Sequence, residues 1–278
     1  MTRIIGILSG KGGVGKTTIA INLAVLLKEF KKKVLLIDCN LGTPHLAYYL
    51  GANNYKHTLN DVLSRKVSMS SALNYYNGIR FLPSSVYLKD LLNINSKILE
   101  SELRKTLNEK KFDYVIIDSA PGIGKEVMMV LKVVDEVIFV VTPFIPVISD
   151  VLRTRDIISR INGRIKMSII ANMMARKPYE LSIEAIEKIT GLPVLGSIPF
   201  DRKVFECLAL KLPVVISEPK SSFSIHLRKI VCKILGKKYK ESLKDKISSF
   251  FEKFKRRFQF YPSLELEEIK EELFIPSF

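Results

Sequence analysis

The chain opens with an apolar run, Ile4–Ser9, then a glycine-rich turn, then a helical stretch, Thr17–Phe30. The turn reads Gly10-Lys11-Gly12-Gly13-Val14-Gly15-Lys16-Thr17. Gly12, Gly13 and Gly15 free the backbone to wrap round an anion with its N–H groups pointing inward. The N-terminus of the following helix adds a partial positive charge. Lys16 is placed to reach the β- and γ-phosphates and Thr17 to set its hydroxyl on Mg²⁺, with Thr18 a further candidate at the nucleotide. A strand–turn–helix of this kind predicts an α/β sheet with Mg-ATP bound at the carboxyl ends of its strands.

The rest of the chain continues in the same manner. Lys33–Asp38, Ile79–Pro83, Asp113–Asp118, Asp135–Val141, Ile165–Asn172, Pro193–Ile198 and Pro213–Ile216 read as buried strands. Their near-continuous hydrophobicity is that of strands covered on both faces. Helical segments such as Ser96–Lys110 and Ser182–Thr190 fall between them. The fold class expected is α/β, a doubly wound, mostly parallel sheet with helices on both faces. A last helix is read from Ser222 to Leu235, with Gly236 ending it. Two units follow: an ATPase domain, 1–236, and an appendage, 237–278.

With 278 residues, 47% of them hydrophobic, the chain can bury a large core. Met1 runs straight into a strand pattern, so no signal peptide is expected. No apolar run approaches the ~18 residues of a membrane span. Cys39, Cys207 and Cys232 are scattered and lack metal spacing, which suits a reducing cytosol without disulfides. His45, His57 and His226 form no cluster, so neither a zinc nor a haem site is expected. The net charge of +16 calls for a polyanionic partner, nucleic acid or an anionic membrane surface.

The run Lys11-Gly-Gly-Val-Gly-Lys16-Thr-Thr resembles the deviant Walker A motif of the MinD/ParA family of P-loop ATPases, and the likeness extends over most of residues 1–236. The resemblance implies a homodimer that sandwiches ATP, with Lys11 reaching the partner's nucleotide. Val115-Ile-Ile-Asp118-Ser-Ala-Pro-Gly122 looks like the family's Walker B strand and switch II, which gives Asp118 the Mg²⁺ hydration shell. Asn172 looks like the adenine-binding asparagine, whose amide both donates and accepts. Pro199 and Asp201, in Ile198–Asp201, look like the segment on the other side of adenine. Asp150 matches an aspartate that partners the signature lysine.

In switch I the chain departs from the pattern. Strand two ends Asp38-Cys39-Asn40, where the family has a second aspartate at the position of Asn40. An amide orients water but takes no proton, so slow hydrolysis and a long-lived ATP state are expected.

Beyond Gly236, Leu243, Ile247, Phe250, Phe251, Phe254 and Phe258 form one apolar stripe at helical spacing, with Lys and Arg on the other faces. That is the character of a helix lying in a membrane interface, and MinD proteins end in such a helix. The stripe could equally pack on the domain or on a partner. After Pro262 the end is acidic, and one reading folds it back on the basic helix. The function expected is that of a MinD-like positioning ATPase, cytoplasmic and peripheral on the inner face of the cell membrane, answering to an activator protein. The alternative is a ParA-like partition ATPase on non-specific DNA.

Overall fold

Most of the strands expected from the sequence end where a turn residue or a polar pair breaks the apolar run, and the chain then goes on to a helix. The computed structural model describes residues 2–239 apart from 53, 88, 89, 91–94, 96 and 176. In order these are β1 (Arg3–Leu8), α1 (Lys16–Glu29), β2 (Val34–Cys39), α2 (Leu46–Tyr49), α3 (Leu59–Leu63), α4 (Met69–Ala72), β3 (Asn74–Tyr76) and β4 (Ile79–Leu82). They continue with α5 (Ile98–Glu109), β5 (Tyr114–Ser119), α6 (Lys125–Leu131), β6 (Glu136–Val141), α7 (Ile145–Ile161), β7 (Lys166–Met174) and α8 (Ile183–Thr190). The last are β8 (Val194–Pro199), α9 (Arg202–Ala209), α10 (Val214–Ser217) and α11 (Ser222–Ile234). Ile247, Phe250, Phe251, Phe254 and Phe258 lie outside the described residues, as do the other members of the stripe and the acidic end.

The sheet runs β3-β4-β2-β5-β1-β6-β7-β8. All neighbours pair in parallel except β3 and β4. From β1 the chain winds to β2 on one side, and from β5 to β6, β7 and β8 on the other. Right-handed crossovers then put α1 on one face and α6, α7 and α8 on the opposite face. The winding reverses beside β1, which is where a doubly wound sheet opens its binding crevice. β2 and β5 are buried at every position. That explains why they read as unbroken apolar runs rather than alternating ones.

Two features differ from the sequence reading. Pro213–Ile216, expected as a strand, falls in the short helix α10; Pro213 is its N-cap, and Val215 N–H donates to Oδ1 of the buried Asn22 at 3.0 Å. A four-residue apolar run looks the same in either conformation, and here packing on α1 decides. The antiparallel β3 has no counterpart among the strands expected from the sequence. Asn77 and Gly78 join it to β4 with φ of 43° and 84°, the left-handed pair of a two-residue hairpin turn. At the end of α11, Gly236 takes φ 65° and Lys237 N–H donates to Cys232 O at 2.8 Å, which closes the helix as expected.

Candidate functional site

The loop between β1 and α1 is shaped by close neighbours as much as by its glycines. Gly13 and Gly15 adopt φ of 79° and 92°, conformations that side chains resist. A Cβ on Gly15 would also come within 2.5 Å of Asn172 Nδ2, and one on Gly10 would overlap Asp150. Ser9 Oγ donates to Lys11 O at 2.7 Å, and Gly122 N–H donates to Ser9 O at 2.9 Å, tying the Asp118–Gly122 segment to the start of the loop. Asp150, on α7, thus lies against Gly10, one residue from Lys11. Lys11 is exposed, whereas Lys16 is buried.

Three charges meet beneath the loop. Desolvation lowers the Lys16 ammonium, and Asp118 and Asp38 act in the opposite sense. Thr17 Oγ1 donates to Asp118 Oδ2 at 2.6 Å. Burial pushes Asp118 up to about 6, offset in part by Thr17 and Lys16. Asp38 is raised well above the usual carboxylate range, first by burial and then by Asp118; its oxygens accept from Asn40 N–H at 3.0 Å and Leu46 N–H at 3.3 Å. Asp118 Oδ1 is buried without a hydrogen-bond partner. Such an orphan costs ~1–3 kcal/mol, and a water of hydrated Mg²⁺ would satisfy it. The donor set of Thr17 and Asp118 suits such an ion, with Asp118 reaching it through water.

In switch I, Asn40 is a structural bracket. Its Nδ2 donates to Thr43 O at 2.6 Å, and its Oδ1 accepts from Thr43 Oγ1 at 3.1 Å. An aspartate could accept from Thr43 but not donate to it. Glu126, at the start of α6, accepts from Gly42 N–H at 3.0 Å and so links switch I to the helix after switch II. No sequence motif marked Glu126; only the crossing of the two segments gives it a partner.

The base side of the cleft is built on a bulge. β7 slips register between Ala171 and Met174, and Met173 takes φ 58°. The bulge brings Asn172 Nδ2 to 2.8 Å from Val14 O and places the residue in the wall of the cleft. Pro199 and Asp201 both line the cleft, of about 410 Å³. Asp201, however, has both oxygens engaged, with Lys203 N–H and Phe223 N–H at 3.0 Å each. It also fixes α9 and α11, and the apolar wall beside it is formed by Phe200 and Phe205, whose rings lie 5.6 Å apart. His45 and Tyr49, stacked at 5.8 Å, close the side facing α2. These apolar walls carry no pattern in sequence because they come from segments far apart in the chain.

A family model described as NUBPL iron-transfer P-loop NTPase, of the ParA group, matches residues 1–235. An uncharacterised ATP-binding protein of Methanocaldococcus jannaschii is 37% identical over 91% of this chain and 96% of its own length. The septum site-determining protein MinD complexed with Mg-ADP, from Pyrococcus horikoshii, superposes with a TM-score of 0.79 at 29% identity, covering 84% of this chain and 96% of that one. The MinC:MinD cell division complex of Aquifex aeolicus superposes at 0.77 and 27% identity, covering 87% and 99%. Among the described residues no helix is long and apolar enough to cross a membrane.

Proposed function

This chain belongs to the MinD/ParA family of P-loop ATPases, and from that premise we propose that ATP works in it as the adhesive of a homodimer whose paired state holds an anionic membrane. The chain binds and hydrolyses Mg-ATP, and its relatives make it a MinD-like positioning ATPase. The observation that carries the dimer is the division of labour between two lysines. Lys16 is buried against Asp118 and Asp38 and serves its own triphosphate; Lys11, exposed at the loop's mouth next to Gly10, which packs on Asp150, can serve another. Sedimentation velocity with a non-hydrolysable ATP analogue and Mg²⁺ should show a dimer, and Lys11→Ala should stay monomeric. A monomeric wild-type protein at saturating nucleotide would sink the reading.

Turnover is slow. Asn40 has no proton-accepting carboxylate, and its amide is committed to Thr43, so no base stands at this position for the attacking water. Asn40→Asp should speed single-turnover hydrolysis despite losing the donor to Thr43; an unchanged rate would remove this role. The amphipathic pattern of 243–258 supplies the lipid contact, and two such segments on one dimer gain by avidity. The Aquifex MinC:MinD complex supports a partner protein on this chain as well.

A further inference from the structure

Residues 240–278 hold eight basic and eight acidic side chains, so the whole excess of +16 belongs to residues 1–239. Much of it collects at one end of the sheet. Lys31 and Lys33 precede β2, Lys111 precedes β5, Lys132 precedes β6, and Arg164 and Lys166 flank the start of β7. All six are exposed, and none pairs with a carboxylate among the described residues. These strands are neighbours, in the order β2-β5-β1-β6-β7, so the cations spread along an edge about 19 Å wide at ~4.8 Å per strand. Helix C-termini draw cations to this edge; what is unusual is that they go unanswered.

The carboxylates at the same end are turned to other tasks. Asp113 accepts from Lys33 N–H at 2.7 Å, and Asp135 from Ile4 N–H at 2.9 Å. Glu136 holds Arg3 at 2.6 and 2.8 Å. Glu109 is the exposed acid of the neighbouring α5 terminus. The described chain also finishes here: Ile234 O accepts from Arg3 Nη1 at 2.6 Å, and Lys237 lies 5.5 Å from the Phe30 ring centroid. Lys237 and Lys238 add two more exposed cations.

We infer that this amino-terminal edge of the sheet, at the opposite end from the nucleotide cleft, is a second membrane-contact surface that meets anionic lipid headgroups. The inference rests on the membrane reading above and extends it from the appendage to the ATPase domain. Duplex DNA would satisfy the same charges. Lipid is the occupant here because the sequence that continues from this edge carries the Phe stripe, which backbone phosphates cannot use. The cations lie within about a Debye length of a surface laid against the edge, so their attractions act together.

The test uses the full chain and vesicles of phosphatidylcholine with phosphatidylglycerol, or of phosphatidylcholine alone, in ATP, ADP and no nucleotide. Lys33→Glu, Lys132→Glu and Arg164→Glu are combined in one variant. A control with the same charge change carries Lys56→Glu, Lys97→Glu and Lys220→Glu, three lysines that do not precede these strands. ATP binding confirms that both fold. Loss of one cation is worth about fivefold in binding to an anionic surface. The edge variant should lose at least about tenfold on the anionic vesicles while the control stays near wild type. Equal binding by edge variant and wild type overturns the surface. Tighter wild-type binding to short duplex DNA than to vesicles, lost in the edge variant, overturns the lipid assignment. Binding that drops in the edge variant yet ignores nucleotide in the wild type leaves the surface standing and removes the nucleotide switch instead.

Discussion

At the carboxyl-terminal end of the sheet, Lys16, Asp38 and Asp118 are buried, and each is held by a named partner or an opposite charge. At the amino-terminal end, Lys33, Lys132 and Arg164 stand in solvent without a carboxylate partner among the described residues. Burial makes a charge costly and its geometry exacting, so few residues carry the chemistry and each matters greatly. Exposure makes each charge cheap and weak, so function there comes from number and reach. One end reads a specific phosphate; the other, on the inference above, senses a surface.

The largest effect expected is at the buried end. Lys16→Ala should lower kcat by about 10²–10³-fold, because a preorganised charge facing the transferring phosphoryl group is lost; steady-state hydrolysis measures it. If Lys33→Ala cost as much, the contrast between the ends would fail. Next comes Gly15→Ala, which sets a Cβ in the left-handed region and against Asn172. It should cost about 1–3 kcal/mol in thermal unfolding without nucleotide. Gly12→Ala, which has nothing within 4 Å of its Cβ, should stay within about 0.5 kcal/mol.

The third prediction concerns pH. Asp118, raised to about 6 without nucleotide, is largely neutral below that value and must lose its proton to hold the Mg²⁺ hydration shell. Mg-nucleotide affinity should therefore be level above about pH 6 and fall below it, approaching tenfold per unit. The nucleotide-free fold shows the reverse trend. The native state binds this proton more tightly than the unfolded chain, so Asp118's contribution to stability is greatest below 3.8 and is lost as pH rises through about 6. Titration calorimetry and thermal unfolding across pH 4–7 separate the two, and affinity that keeps rising above pH 7 would reassign the group. The smallest effect is at Glu126, which sharpens the comparison because it is only half-buried. Glu126→Ala should slow single-turnover hydrolysis about two- to fivefold by freeing Gly42, worth roughly one hydrogen bond. Glu126→Gln, which keeps the acceptor, should recover most of that rate.

The phosphate loop was legible because its chemistry is local. Glycines at fixed spacing, a lysine and a threonine at a helix start need only a strand before them, and β1 is there. The hairpin β3–β4 was also written in the chain, in Asn77-Gly78, and went unread beside stronger apolar signals. Pro213–Ile216 could not be settled from sequence, since an apolar run that short has no period of its own. Asp201 belongs to the segment expected beside the base and lines the cleft; that its carboxylate also serves two backbone N–H groups, one of them at Phe223, no local pattern reveals.

By itself the sequence determined the phosphate loop, the family and most of the strand–helix alternation, β3 and α10 excepted, because periodicity and turn chemistry act over a few residues. Only the tertiary structure decided that Asn40 is bound to Thr43, that Glu126 reaches Gly42, that a bulge aims Asn172 at Val14, and that scattered lysines form one edge. The reason is physical: these depend on which segments the sheet order makes neighbours, and that order is set by the burial of the whole core rather than by any stretch of chain.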